Sequence, residues 1–113
     1  MLIEILKYIA GIATILTGMV ALFWPNQVLG FIGLDVVGGR GVTEIRAVFG
    51  ALFIGLGAAV LYFRTVEAYA VLGVMYIVMA VVRGISMVID DSVVSSNVIS
   101  VIAEIVFGII LVL

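Results

Sequence analysis

Arg83 and Glu104 are charged residues inside stretches that are otherwise apolar enough to lie in lipid hydrocarbon. A charged side chain at the centre of a bilayer costs at least about 2.5 to 3.5 kcal/mol, so it persists where it is paired, hydrated or used in function. A guanidinium binds anions through paired N–H donors, and a carboxylate can exchange a proton. These two residue types therefore indicate anion binding, to which proton uptake could be coupled.

A predicted polar cluster surrounds this pair in one half of the membrane. At a rise of 1.5 Å per residue, antiparallel helices bring Arg83 to roughly 9 Å and Glu104 to roughly 16 Å below the same surface, a gap that one arginine side chain can bridge. Other polar residues follow the same helical stripes. The predicted ligand-binding or buried polar cluster contains Glu44, Arg46, Arg83, Asp90 and Glu104, with Asn97, Ser100 and Tyr76 assisting.

Two interpretations of the cluster stay open on the sequence alone. In the first, the charges form a structural ion-pair network that fixes how the helices pack. In the second, they line a pocket for a small anionic or polar ligand. Arg46 and Arg83 would then bind the ligand, and Glu104 would take up a proton when Arg83 is drawn away from it.

The composition predicts a membrane protein. The chain has 113 residues, of which 66% are hydrophobic and 11% are charged, and its mean hydropathy is +1.51. A soluble domain of this size could not bury so much apolar surface. The formal net charge is −2 and like charges do not cluster, so no nucleic-acid partner is expected. The lipid bilayer is the expected surrounding.

The residue types that usually carry cofactor chemistry are missing from the chain. It contains no cysteine and no histidine, which excludes thiol redox chemistry and the usual zinc and histidine-ligated haem sites. No nucleophile is accompanied by a base in a known pattern, so an enzyme is not expected. Neither a cofactor nor a metal ion is predicted.

Four long apolar stretches predict an all-α integral membrane protein, built as a four-helix up-down-up-down bundle. Crossing roughly 30 Å of hydrocarbon takes about 20 helical residues. Because the last two connections are only a few residues long, consecutive helices are expected to be antiparallel neighbours. The single predicted domain, residues 1–113, has spans at about 2–24, 43–63, 66–89 and 93–113.

Small residues recur at helical spacing and are expected to let the helices approach closely. On the first span, one such stripe is predicted to face the other helices; it contains Lys7, Gly11, Thr14 and Gly18. The half of the membrane opposite the cluster is expected to be dry. Its charged residues near the helix ends are expected to extend their side chains to water; they are Glu4, Lys7, Arg64 and Glu67.

Residues 25–41 form the one connection that is long enough for structure of its own. Pro25 suits the first turn of a helix and Trp24 suits a headgroup boundary, so a short interfacial helix is predicted between spans one and two. The alternative is an irregular hydrophobic loop.

Lys7 and Arg64 on the terminal side outnumber Arg40 on the other side, which predicts a multi-pass protein of the cell membrane with cytoplasmic termini.

Several residues carry a resemblance to a known family. The most specific are Glu44, Arg46 and Ala47, followed by Gly50, Gly55 and Gly57, and then Arg64, Arg83, Asp90 and Glu104 around the later spans. From about Pro25 onward, the chain resembles the bacterial membrane family catalogued as domain-of-unknown-function family 4345. It is also distantly similar to the DoxX family, some of whose relatives are linked to redox complexes. The resemblance implies four transmembrane helices and no assigned activity.

Two functions therefore stay open. The first is the binding or transport of a small anionic or polar ligand by the Arg and Glu cluster. The second is an accessory or scaffold role in a larger membrane complex, with the cluster purely structural. The glycine faces could then pack against other membrane subunits, or against a second copy of the chain in a homo-oligomer.

Overall fold

The computed structural model describes residues 1–113, which are mostly helical and contain no strand. In chain order the helices are α1 (Leu2–Phe23), α2 (Pro25–Ile32), α3 (Gly38–Glu44), α4 (Leu52–Phe63), α5 (Val66–Ile89) and α6 (Ser95–Val112), with a π-helical segment (Ile45–Ala51) joining α3 to α4. Four continuous helical stretches are long and apolar enough to cross a membrane: Leu2–Phe23, Gly38–Phe63, Val66–Ile89 and Ser95–Val112. Their mean hydropathy is 1.9 to 2.1. The fold is thus compatible with a small multi-pass membrane protein.

The second apolar stretch begins earlier than the sequence predicts. The sequence predicts a connecting segment up to residue 41 and a second span from about residue 43, but residues from Gly38 onward are helical, although glycine disfavours helices. Two local contacts accompany this start. Arg40 pairs with Glu44 one turn later, and the Thr43 hydroxyl donates to the Gly39 carbonyl at 3.0 Å. An ion pair between side chains one turn apart, such as that of Arg40 and Glu44, supports a helix where intrinsic propensity does not.

The predicted short helix is present as α2, and its ends follow the expected chemistry. Pro25 occupies the first turn, where its missing N–H costs nothing. Gly33 ends the helix in the left-handed conformation, with φ of 75°, and its N–H donates to the Leu29 carbonyl at 3.0 Å. The position of α2 in a membrane interface stays a prediction.

The chain forms two compact units, residues 11–62 and residues 1–10 together with 63–113. In the first, α1 packs directly on the π-helical segment and α4 through glycines. A methyl group on Gly18 would lie 2.5 Å from the Gly50 carbonyl oxygen, and one on Gly57 would lie 2.8 Å from the Gly11 carbonyl oxygen. Backbones this close leave no room for a side chain, as is usual where membrane helices cross.

In the second unit, α5 packs along α6 in the same way. A methyl group on Gly73 would lie 3.1 Å from the Gly108 carbonyl oxygen, and Leu72 and Leu111 beside this crossing are fully buried. The side chain of Thr65 caps the start of α5 by accepting from the Ala68 N–H at 3.1 Å. Because the two helices meet at backbone distance, the side chains further along them are held in a fixed register.

Candidate functional site

Arg83 on α5 and Glu104 on α6 form a two-hydrogen-bond ion pair. The guanidinium donates from Nε to Oε1 at 2.9 Å and from Nη2 to Oε2 at 2.8 Å. The Glu104 side chain is 7% exposed and that of Arg83 is 31% exposed. Planar guanidinium and carboxylate groups match in this arrangement, which makes it stronger and more directional than a single contact. The pair therefore joins two apolar helices at a defined register.

Asn97 supplies the third contact of the arginine. Its side-chain oxygen accepts from Arg83 Nη1 at 3.1 Å, and its amide nitrogen donates to the Ser92 carbonyl at 2.9 Å. The amide is therefore used at both ends, which fixes its orientation. Through Asn97, the turn that joins α5 to α6 holds the arginine in place.

The arginine also lines a surface concavity of about 440 Å³. A guanidinium carries five N–H donors, and three of those of Arg83 are used by Glu104 and Asn97. Two donors are left for a further acceptor. The rest of the lining is mostly apolar; it consists of Val78, Met79, Val82, Ser86 and Asn97. The concavity therefore combines an apolar wall with a small group of polar atoms, as ligand sites commonly do.

Three further predicted site residues lie in the same unit, with different surroundings. Asp90 is exposed, and it accepts from the Ser86 hydroxyl at 2.5 Å rather than from Arg83. Ser100 is half-buried on α6, between Asn97 and Glu104 in sequence. Tyr76 is buried, and its ring centroid lies 5.7 Å from that of Phe107. The hydrogen-bonded network around Arg83 is thus smaller than the predicted cluster.

The other two predicted residues lie in the unit of residues 11–62. Glu44 is exposed and pairs with Arg40 of its own helix. Arg46 is also exposed and belongs to the π-helical segment. Wide π turns often occur at functional sites, but no sequence signal predicted this one. That Glu44 and Arg46 share a site with Arg83 stays a prediction.

Residues 2–113 match the sequence pattern of a family described as "Domain of unknown function (DUF4345)". The chain belongs to this family. Neither a search of curated proteins nor a search of solved structures found a match. The predicted resemblance to the family is thereby confirmed over nearly the whole chain, whereas the likeness to DoxX proteins and the bacterial origin stay predictions.

Lys7 of this DUF4345 chain lies on the stripe that the sequence predicts to face the other helices. Only 6% of the residue is exposed, and its ammonium lies 5.7 Å from the centre of the Tyr69 ring. The ammonium nitrogen is nevertheless not fully buried, so the stem of the side chain is packed while its end borders a surface concavity. Gly11, on the same stripe, packs closely against α4.

The acidic residues offer no metal site. No three carboxylates converge in the structure, and the chain has no histidine or cysteine to complete a ligand set. Glu104, the buried carboxylate, has both oxygens engaged by Arg83. What the site can do chemically is accept hydrogen bonds from, or donate them to, a bound molecule.

Proposed function

We propose that the protein is a multi-pass membrane protein that binds a small polar or anionic ligand at Arg83. The proposal depends on one observation: the Arg83 guanidinium is paired with Glu104 and still has free donors. Two hydrogen bonds to Glu104 hold it rigidly, yet two of its donors remain for another acceptor beside an apolar wall. A donor group that is already oriented binds without first losing conformational entropy.

Charge balance bears on the kind of ligand that the site would accept. The pair of Arg83 and Glu104 is neutral as a unit, so a neutral acceptor such as an amide would bind without adding charge to the membrane interior. An anion would add one negative charge, which only the two free donors of Arg83 would offset.

The proposed topology is an up-down-up-down bundle with both termini in the cytoplasm of a cell. Contacts within each unit support antiparallel pairing: Gly11 in early α1 lies beside Leu61 in late α4, and Gly73 in early α5 lies beside Val112 in late α6. We place α2 in the membrane interface because Trp24 and Phe31 expose bulky aromatic rings there. The positive-inside rule supports the orientation through Lys7 and Arg64.

A matched pair of probes tests the ligand class. Benzoate and benzamide share an apolar ring, suited to a wall of Val78, Met79 and Val82, and differ in the charge of the acceptor. Saturation-transfer NMR on the protein in a maltoside detergent should detect binding of at least one probe. With Arg83→Gln, we expect about tenfold weaker binding or worse, since a charge-assisted contact is lost.

The control for this experiment is Arg40→Gln, which removes an exposed arginine whose partner, Glu44, lies on the same helix. It should leave binding unchanged. If folded Arg83→Gln protein bound each probe as tightly as the wild-type protein does, the proposal would be contradicted. A preference for benzoate would assign the site to anions, and a preference for benzamide would assign it to neutral polar ligands.

A second candidate function, as an accessory or scaffold subunit, is favoured by an exposed face that runs from the end of the π-helical segment into α4. Ala51, Gly55 and Ala59 repeat every four residues and are exposed, and a methyl group added to Gly55 would meet nothing within 4 Å. Membrane helices associate through such small-residue faces. The partner could be another membrane subunit or a second copy of the chain.

Gly55→Leu tests this candidate, because it fills the face without disturbing contacts inside the chain. Purification in mild detergent should recover a stoichiometric partner, or a homo-oligomer, with the wild-type chain and lose it with the variant. Gly84→Leu is the matched control, since Gly84 on α5 is also surrounded by open space. A wild-type chain that stays monomeric and unaccompanied in membranes as well as in detergent would exclude this role.

A further inference from the structure

Lys7, the single lysine of the chain, is buried without an ionic partner. No carboxylate lies within ion-pair distance of its ammonium, and its recorded neighbour is the face of the Tyr69 ring. A contact with an aromatic face stabilises an ammonium only modestly. Because the ammonium forms no hydrogen bond within the chain and its nitrogen is not fully buried, it is open to an acceptor from outside the chain.

The lysine lies in a second concavity, of about 520 Å³, where α1 and α5 begin. Its polar lining comprises Glu4, Lys7, Tyr8, Arg64 and Tyr69, and apolar side chains such as Ile5 and Val66 complete it. All of these residues belong to the unit of residues 1–10 and 63–113. Two cationic residues and two tyrosines thus border a space that also has an apolar side.

We propose that this concavity binds the phosphate group of a membrane phospholipid. Lys7 and Arg64 would contact the phosphate oxygens, since ammonium and guanidinium groups are the usual phosphate partners in proteins. The N-terminal ends of α1 and α5 border the same space, and their partial positive charge adds to the attraction for an anion. This site is separate from Arg83 and does not depend on the function proposed there.

Position and lining favour a lipid over a free anion. Lys7 lies five residues beyond the start of α1, or roughly 7 to 8 Å along the axis, and a helical side chain points back toward the N-terminus, so its ammonium can reach the headgroup region. Tyrosine is enriched at the same depth. The apolar lining would contact the glycerol and upper acyl carbons. Glu4 disfavours additional negative charge and would suit the amine of a zwitterionic headgroup.

Selective labelling with ¹⁵N-lysine gives one backbone amide resonance, that of Lys7, because the chain has no other lysine. The wild-type protein, in a phosphate-free maltoside detergent, is titrated with short-chain phosphatidylethanolamine and phosphatidylglycerol. We expect a saturable shift of this resonance with one or both lipids. Inorganic phosphate at equal concentration should cause less than about one tenth of the shift, since it lacks the apolar contacts.

An absent shift with both lipids would overturn the proposal. An equal response to inorganic phosphate would overturn the lipid as the source and assign the site to a soluble anion. The titration uses the native chain, so it does not depend on any variant folding.

Variants then identify the contacting groups. Lys7→Met keeps the length and apolar stem of the side chain but removes the ammonium, and Arg64→Gln removes the second cation. Each should lower the lipid retained through gel filtration, measured by mass spectrometry, by about tenfold, whereas Lys7→Arg should preserve it. Arg40→Gln, at an exposed cation, is the control. Unchanged retention in Lys7→Met and Arg64→Gln would also overturn the site.

Discussion

Arg83 and Glu104 are 21 residues apart in the chain and share two hydrogen bonds of 2.9 and 2.8 Å between α5 and α6. Within an apolar helical hairpin, a neutral pair of this kind is both a structural clamp and a preformed donor group. The two roles make different predictions, because stability depends on the pair alone whereas ligand binding depends on the free donors of Arg83.

The first prediction is that changing Arg83 costs more stability than changing Glu104. Arg83→Met leaves the buried Glu104 without its donors, and we expect it to lower the free energy of unfolding by about 2 to 3 kcal/mol, the reduced value reflecting the partial exposure of Arg83. Glu104→Gln keeps one acceptor oxygen, so it should cost only about 1 kcal/mol. Denaturant unfolding in mixed micelles measures both.

The double variant, Arg83→Met with Glu104→Met, provides the control for this pair. Because it leaves no uncompensated charge, it should be more stable than Arg83→Met alone. Glu104→Met alone closes the cycle, and if the effects of Arg83→Met and Glu104→Met simply added, with no coupling energy, the clamp role would be excluded.

The second prediction concerns Asn97, which connects Arg83 to the turn after α5. Asn97→Leu removes the contacts to Arg83 and to the Ser92 carbonyl, and it should cost about 1 to 3 kcal/mol of stability. It should also weaken probe binding at Arg83, since the guanidinium is then held by Glu104 alone. Thermal unfolding and saturation-transfer NMR measure the two effects.

Ser95→Leu is the matched control, because Ser95 is exposed in the first turn of the same helix. It should change neither stability nor binding by a measurable amount. Unaltered probe binding in Asn97→Leu would show that Glu104 alone orients the arginine.

The third prediction compares two glycines of α5. Gly73→Ala would place a methyl group 2.9 Å from Leu111 Cβ and 3.1 Å from the Gly108 carbonyl oxygen, so the helices must separate. We expect destabilisation of about 1 to 3 kcal/mol. Gly84→Ala has open space around it and should stabilise the helix by about 0.5 to 1 kcal/mol. Opposite shifts in melting temperature are the expected result.

A destabilising Gly84→Ala, or a neutral Gly73→Ala, would contradict the packing of α5 on α6. The same reasoning applies to Gly108 on α6, where an added methyl group would lie 3.2 Å from the Ile77 backbone nitrogen of α5. Gly108→Ala should therefore resemble Gly73→Ala.

Hydropathy and helical rise were sufficient to predict the features of the fold that depend only on position along the helix axes. Span positions follow from apolar length, and the depth of Arg83 against Glu104 follows from counting residues along two helices joined by a short turn. The burial of Lys7 required a different signal, the helical stripe that it shares with Gly11, because it depends on which face of α1 is turned towards Tyr69.

Two local departures from ordinary helix-forming preferences also could not be predicted from the sequence. Gly38–Glu44 is helical with the support of the Arg40 and Glu44 pair, although its three glycines favour a loop. The π-helical segment Ile45–Ala51 changes the direction of Arg46 relative to an ordinary helix, and its residues have no composition that marks a π turn. In both places the surrounding contacts, rather than the residues themselves, decide the backbone.

The last prediction concerns the number of membrane crossings and their direction. The chain has no cysteine, so single substitutions can be labelled without background. Leu2, Val37 and Val93 are 71%, 91% and 65% exposed, and they lie in or beside the segments that connect or precede the long helices. Each is changed to cysteine in turn, and intact cells are treated with a membrane-impermeant maleimide. If four spans run up-down-up-down from a cytoplasmic N-terminus, Val37→Cys and Val93→Cys react from outside, whereas Leu2→Cys reacts only after the cells are opened. Labelling of Val37→Cys and Val93→Cys from opposite sides would exclude the four-span topology, and reversal of all three would keep the topology but invert its orientation.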